Sequence, residues 1–132
     1  MVGYDGSPPS ERALERAPML TETAGRLIVV IASPSSFSQG LLSEPILDAP
    51  TPDEQDRLLA RARALLQERT AQPSVLASDS DPAQALVQAV RDDDADLIPV
   101  GHAGAGYVTR AILGSTAENV LRHSPCDVLA VR

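Results

Sequence analysis

The sequence predicts an α/β protein in which parallel strands alternate with helices. Five short apolar runs are separated by stretches whose apolar residues recur every three or four positions, as they do on the buried face of a helix. Residues 27–32 are apolar throughout, which is typical of a parallel strand buried on both faces. Strands and helices that alternate in this way form a doubly wound parallel sheet with helices on both faces.

The first strand and the first helix meet at a short polar turn. Residues 2–4 are predicted to form the strand, and Asp5 marks its end. Ser7 or Ser10 is predicted to cap the helix that follows. Asp5 is suited either to cap that helix or to face a ligand at the end of the strand.

Pro18 interrupts the pattern of the first helix, which is predicted to close near residue 25. A proline inside a helix loses a backbone hydrogen bond and costs about 3 kcal/mol unless the helix bends. We therefore expect a kink at Pro18.

The middle of the chain predicts a loop followed by a helix, a strand and another helix. Residues 33–50 contain three prolines and no periodic apolar face, so they are predicted to form a long loop. Thr51 and Glu54 have the spacing of a capping box that opens the second helix. Residues 73–78 are predicted to be the third strand, and Asp81 is placed to cap the third helix.

The fourth strand, residues 96–100, contains a proline where a central strand would need a hydrogen-bond donor. Pro99 cannot donate to the ladder, and prolines in sheets are confined to edges and bulges. Either the sheet is irregular at this point or the strand is wrongly assigned.

Composition limits the classes of function. The length of 132 residues suits one domain covering 1–132, and the formal charge of −7 argues against a nucleic-acid partner. The chain has no lysine, which excludes a Walker-A loop and a lysine nucleophile. A single cysteine excludes an intrachain disulfide, and no apolar run is long enough to predict a membrane span, so the default expectation is a cytoplasmic protein.

A glycine-rich stretch between the fourth strand and the last helix carries the functional signal. Gly101, Gly104 and Gly114 are followed by Ser115, in the spacing G-x2-G-x9-G-S/T. Glycines let backbone N–H groups approach an anion, and a helix start adds unpaired donors and a positive dipole end. The alternative is a glycine-rich loop that binds no ligand.

This spacing, followed by residues 120–132, resembles the nucleotide-binding signature of the universal stress protein family, in its ATP-binding branch. The resemblance covers essentially the whole chain. It implies an adenine nucleotide alpha hydrolase-like fold: one five-stranded parallel sheet of order 3-2-1-4-5. The first and fourth strands would then be neighbours, which would bring Asp5 and Gly101 to one crevice, where open α/β sheets bind their ligands.

The resemblance also implies where the parts of a nucleotide would lie. Adenine is expected between Asp5 and Ala32, with the ribose near Asp5. For Ala32, a position in the hydrophobic core is an equally good interpretation. The phosphates are expected along the glycine-rich stretch and the start of the last helix. The residues implied there are Gly101, His102, Gly104, Gly106, Gly114, Ser115 and Thr116. For His102, an inert position facing solvent is an equally good interpretation.

Binding is a better interpretation of the sequence than catalysis. No nucleophile, paired carboxylates or metal motif is evident, and His123 with Cys126 would give only two ligands where a structural zinc site needs about four. The implied ligand is ATP, with Mg²⁺ from solution, bound by a regulatory protein of the stress response that at most hydrolyses ATP slowly. The alternative is a nucleotide-free, dimeric interaction module of the same fold.

The last strand is predicted to lie at an edge of the sheet. Residues 128–131 are apolar, and an edge strand of this kind tends to pair with another chain. The family resemblance likewise implies a homodimer joined through this strand.

Overall fold

The computed structural model describes residues 1–21, 25–32, 51–66, 74–78, 80–103 and 113–132. The predicted loop 33–50 lies outside the described residues. Residues 104–112, which include Gly104, Gly106 and Arg110, also lie outside the described residues.

Strands and helices alternate along the described chain, which confirms the predicted α/β class. The strands are β1 (Val2–Gly3), β2 (Ile28–Ala32), β3 (Ser74–Ser78), β4 (Leu97–Gly101) and β5 (Asp127–Val131). The helices are α1 (Pro8–Leu20), α2 (Pro52–Leu66), α3 (Pro82–Asp93) and α4 (Ser115–His123).

The strands form two parallel sheets, and the predicted single sheet of order 3-2-1-4-5 is therefore wrong for the described residues. One sheet has three strands in the order β1-β2-β3, and the other pairs β4 with β5. Within them, Val2 is opposite Val29 and Pro99 is opposite Leu129. The break in the ladder falls between β1 and β4.

Pro99 gives a physical reason for this break. The His102 N–H donates to the Val131 carbonyl across the β4–β5 pair at 2.8 Å. Because backbone groups alternate in direction along a strand, the nitrogen of Pro99 is on the other side, towards β1, and it has no hydrogen to donate. The edges of β1 and β4 are nevertheless in contact, and the Met1 nitrogen donates to the Leu97 carbonyl at 2.9 Å.

Helix α1 begins as predicted but ends earlier. The Ser7 hydroxyl accepts a hydrogen bond from the Ser10 N–H, so Ser7 is the N-cap. The helix ends at Leu20 rather than near residue 25, where the Thr21 hydroxyl donates to the Ala17 carbonyl at 2.8 Å. Pro18 therefore lies in the last turn and not in the middle of the helix.

The predicted caps of α2 and α3 are confirmed. The Glu54 carboxylate accepts hydrogen bonds from the N–H and the hydroxyl of Thr51, and these bonds lower the pKa of Glu54. At the start of α3, Asp81 Oδ1 accepts from the N–H groups of Ala83 and Gln84, at 3.0 and 3.1 Å. Local sequence patterns therefore fix where both helices begin.

The hydrophobic core consists of two clusters that differ in the helices they contain. Helices α1 and α2 contribute Leu14 and Leu66 to one cluster, which also contains Val29 of β2. Helices α3 and α4 contribute Leu86 and Val120 to the other, together with Ile98 of β4. Helices thus cover both faces of the strands, as the doubly apolar β2 predicts.

Gly101 is the point at which α1 packs directly on β4. A Cβ atom at this position would lie 2.8 Å from the Ser10 nitrogen and 2.9 Å from the Pro9 carbonyl carbon. Both neighbours are backbone atoms, which cannot move without shifting the helix. The absence of a side chain at Gly101 therefore has a packing role, in addition to any role in ligand binding.

We predict that Gly101→Ala lowers the free energy of unfolding by about 1–3 kcal/mol, the usual cost of overpacking. Gly3→Ala is the matched control, because its Cβ would lie 2.9 Å from the tip of the Leu86 side chain, which can rotate away. Urea unfolding of both variants measures the difference. If both variants lost the same free energy of unfolding, a packing role specific to Gly101 would be contradicted.

Candidate functional site

A cavity of about 250 Å³ lies at the carboxyl ends of β1, β2 and β4. The first turns of α1, α3 and α4 complete its walls. The lining residues are Gly3, Tyr4, Asp5, Ser7, Ser10, Val30, Ala32, Pro82, Leu86, Val100, Gly101, Ala103, Gly114, Ser115, Thr116 and Ala117. This is the position at which ligands bind in open α/β folds, even though the two sheets are not joined by a continuous ladder.

The structure brings together most of the site residues predicted from the sequence. Those that line the cavity are Asp5, Ala32, Gly101, Gly114, Ser115 and Thr116. Gly104 and Gly106 fall outside the described residues. Residues distant in the sequence therefore share one cavity, as the predicted crevice requires.

His102 is not among the residues that line the cavity. Its backbone carbonyl accepts a hydrogen bond from the Gly114 N–H at 2.7 Å, so it ties together the two ends of the glycine-rich stretch. Its ring atom Nδ1 is buried and has no hydrogen-bond partner among the described residues. The described contacts of His102 are thus made by its backbone.

Asp5 is held at the mouth of the cavity by the turn that precedes α1. Its Oδ1 atom accepts from the Ser7 N–H at 3.0 Å and from the Ser7 hydroxyl at 2.6 Å. The Asp5 N–H donates to the hydroxyl of Ser10 at 3.3 Å. Because Asp5 is exposed and its Oδ2 accepts no hydrogen bond from the described residues, that oxygen can accept one from a ligand.

The N-termini of the four described helices differ in how their first N–H groups are satisfied. The starts of α1 and α3 carry a proline and are capped by Ser7 and Asp81, and α2 begins with the capping box of Thr51. Helix α4 has Gly114 as its N-cap, with no side-chain hydrogen bond. It therefore presents N–H donors that the described residues leave unsatisfied.

The first turn of α4 borders the cavity. Ser115, Thr116 and Ala117 form its first turn, and all three line the cavity. The N–H groups at a helix start have no acceptor within the helix, and the helix dipole gives this end a partial positive charge. With the hydroxyls of Ser115 and Thr116, this turn is suited to bind an anion such as a phosphate.

Four lining residues that matter for the shape of the cavity were not predicted as site residues. Ser7 and Ser10 build the turn that holds Asp5, and the spacing of two serines just after an acidic residue was the available signal. Pro82 and Leu86 enter from α3. Their role depends on how α3 packs over β1, which no local pattern reveals.

Comparison with known proteins identifies the group to which this arrangement belongs. A model of the universal stress protein family matches residues 1–132. The chain belongs to the universal stress protein family. A Thermus aquaticus relative, named "Universal stress protein in QAH/OAS sulfhydrylase 3'region", is 30% identical over 133 residues, which cover 100% of this chain and 96% of the relative.

Solved structures of universal stress proteins share the fold. A universal stress protein in complex with cAMP is 28% identical, with a TM-score of 0.71 and coverage of 99% of this chain and 93% of that one. The Archaeoglobus fulgidus protein in complex with dAMP is 19% identical, with a TM-score of 0.73 and coverage of 99% and 94%. The second likeness concerns the fold alone.

In the part of the chain that the structure describes, no helix is long and apolar enough to cross a membrane. The described residues also contain no group of three or more His, Cys, Asp or Glu side chains placed to hold a metal ion.

Tyr4 lies beneath the site with its side chain in the cluster formed by α1 and α2. The residue is only 3% exposed, and its hydroxyl has no hydrogen-bond partner among the described residues. Burial raises the pKa of Tyr4, and the nearby carboxylate of Glu11 raises it further, while Arg61 acts in the opposite direction.

We predict that Tyr4→Phe is at least as stable as the wild type at neutral pH, since an unpaired buried hydroxyl costs about 1–3 kcal/mol. The pKa of Tyr4 is raised in the folded state above its unfolded value of about 10. The contribution of the neutral Tyr4 phenol to the free energy of unfolding is therefore fully present below about pH 10. It is lost as the pH rises through the pKa that Tyr4 has in the folded state.

The variant should consequently lose less stability than the wild type in alkaline solution, which urea unfolding across that pH range measures. A clear loss of stability in Tyr4→Phe at neutral pH would show instead that the hydroxyl makes a stabilising hydrogen bond.

Proposed function

We propose that this protein binds an adenine nucleotide and acts as a regulatory protein in a stress response. The observation that carries the proposal is the cavity that α4 enters with an uncapped N-terminus. The sequence motif favours ATP, with Mg²⁺ supplied from solution, as the first ligand to test.

The described walls of the cavity suit the two ends of a nucleotide. Part of the wall is apolar, with Val30, Ala32 and Leu86 available to contact a base. The ribose would lie near Asp5, whose Oδ2 accepts no hydrogen bond from the described residues and could accept one from a hydroxyl. The phosphate end would then meet the first turn of α4.

A solved relative supports an adenine nucleotide as the ligand class. The structure with 28% identity contains cAMP. This ligand combines an adenine base with one phosphate group, which are the two parts that an apolar wall and a helix start can bind.

Binding without chemistry is the better proposal for this cavity. Among its described lining residues, Asp5 is the only carboxylate, and there is no histidine or cysteine. A general acid and base, or a nucleophile with its base, would require a second such group within hydrogen-bond reach. We therefore propose signalling through the bound state, with hydrolysis at most slow and incidental.

We predict that Ser115→Ala weakens nucleotide binding by about 1.5–3 kcal/mol, the range for a hydrogen bond to a charged group. Ser115 is exposed at the start of α4, so its loss should leave the fold intact. Ser74→Ala is the matched control, because Ser74 is an exposed serine at the amino end of β3. Calorimetric titration of ligand-free protein with ATP and Mg²⁺, cAMP and AMP measures the effect.

If none of the three nucleotides gives heat at millimolar concentration, the proposal of a nucleotide site fails. The alternative, a ligand-free interaction module that dimerises, would then take its place.

We also propose that two copies associate through β5. This strand pairs with β4 on one side, and Leu129 is 36% exposed on its surface. An apolar edge strand offers both unpaired backbone groups and a side chain to bury against a second copy. Val131 is only 1% exposed within the subunit, so Leu129 is the better position to probe the association.

We predict that Leu129→Asp converts a dimer to a monomer, because it places like charges opposite each other in the shared edge. Leu76→Asp is the matched control: Leu76 is an exposed leucine, at 40%, on the edge strand β3. Light scattering at tens of micromolar protein reports the mass. A monomeric wild type, or dissociation by both substitutions alike, would contradict an interface at β5.

A further inference from the structure

We infer that Gly3 and Leu86 together set the size of the base that this cavity admits, and that Gly3 does so by positioning the Leu86 side chain. The inference rests on the proposed nucleotide site. It assigns the choice between a purine and a pyrimidine base to one apolar contact between β1 and α3.

Gly3 leaves the backbone of β1 open to the cavity between two valines. Val30 is the partner of Gly3 in the parallel ladder with β2. On the side of β4, a Cβ atom at Gly3 would lie 3.6 Å from Val100 Cγ1. All three residues line the cavity. The strand β1 itself thus contributes no side chain to the space between the valines.

The Leu86 side chain of α3 enters that space. Its Cδ1 and Cδ2 atoms lie 2.9 and 3.5 Å from the position that a Cβ at Gly3 would take. Two carbon atoms attract each other best at about 3.5–4.0 Å, so an added methyl group would repel Cδ1. Leu86 therefore holds its position because residue 3 is a glycine.

A displaced Leu86 side chain would move into the cavity. It borders the cavity and is only 2% exposed. Away from the cavity it belongs to the hydrophobic cluster of α3 and α4, and protein interiors are too closely packed to accept an extra side-chain group. The cavity is the empty space that Leu86 borders, so a methyl group at position 3 would narrow it from the side of α3.

The part of the cavity next to Gly3 and Leu86 is the part proposed to hold the base. With the phosphate at the start of α4 and the ribose near Asp5, the base would point towards Val30, Ala32 and Leu86. A purine extends further from the ribose than a pyrimidine, because its six-membered ring is joined to the sugar through the five-membered ring. Narrowing at Leu86 would therefore weaken purine binding more than pyrimidine binding. The native contact favours a purine, which has more apolar surface to bury.

Calorimetric titration of the full chain with AMP and CMP, which differ only in the base, tests the inference on the wild type and on Gly3→Ala. We expect the wild type to prefer AMP. Gly3→Ala should weaken AMP binding at least about tenfold and CMP binding less than about threefold, since small volume changes in an apolar pocket have effects of this order. The readout is the ratio of the two dissociation constants. A loss of folded protein would weaken both ligands equally and cancel in this ratio.

A second substitution separates the contact with Leu86 from any direct effect of the new methyl group. Valine has no δ carbon, so Leu86→Val removes both atoms that a Cβ at Gly3 would meet. In the double variant with Gly3→Ala, the ratio should return to within about threefold of its wild-type value, because two residues in contact have non-additive effects. Leu14→Val is the matched control, since Leu14 is a fully buried leucine of α1 that is not among the residues lining the cavity. Together with Gly3→Ala it should restore nothing.

Four results would overturn the inference and leave the proposed nucleotide site intact. The wild type could bind CMP as tightly as AMP. The ratio in Gly3→Ala could equal that of the wild type, which would show that Leu86 moves without narrowing the cavity. The ratio could change but fail to recover with Leu86→Val, so that the methyl group itself would contact the base. It could also recover equally with Leu14→Val, which would indicate a general loosening of the core.

A wild type that binds neither AMP nor CMP would be a different outcome. It would refute the proposed nucleotide site, and the inference about base size would fail with it.

Discussion

The close packing of the first turn of α1 on Gly101 is the contact on which the site depends. The backbone atoms of Pro9 and Ser10 occupy the space that a side chain at Gly101 would fill. This contact joins an element that follows β1 to the end of β4, across the boundary where the two sheets share no continuous ladder. It thereby holds Asp5 and Gly101 at one cavity, which both residues line.

Local sequence signals predicted the parts of the fold that depend on local physics. Ser7, Thr51 and Asp81 cap their helices as their sequence contexts indicate, because a side-chain oxygen beside a helix start satisfies nearby N–H groups wherever the helix packs. The family resemblance likewise implied that Asp5 and Gly101 share one crevice, and both line the cavity although nearly a hundred residues separate them. Both kinds of signal are carried by residue type and spacing.

Apart from the early end of α1, the failed expectations concern relations between elements. Pro99 signalled an irregularity, but the sequence alone did not show that the ladder would stop between β1 and β4. The side chain of Leu86 reaches the cavity through the packing of α3, and the His102 carbonyl accepts a hydrogen bond from the Gly114 N–H. These arrangements are decided by tertiary contacts, which residue spacing does not encode.

The boundary between the two sheets determines how ligand binding would change the rigidity of the rest of the molecule. Asp5 and Ala32 belong to the side of the three-stranded sheet, whereas Gly101 and Ser115 belong to the side of β4 and β5. A ligand that contacts both sides would act as a cross-link at the place where backbone bonding is interrupted. Its binding free energy would be added to the resistance of the two halves to separation, which couples occupancy of the cavity to the rigidity of the whole domain.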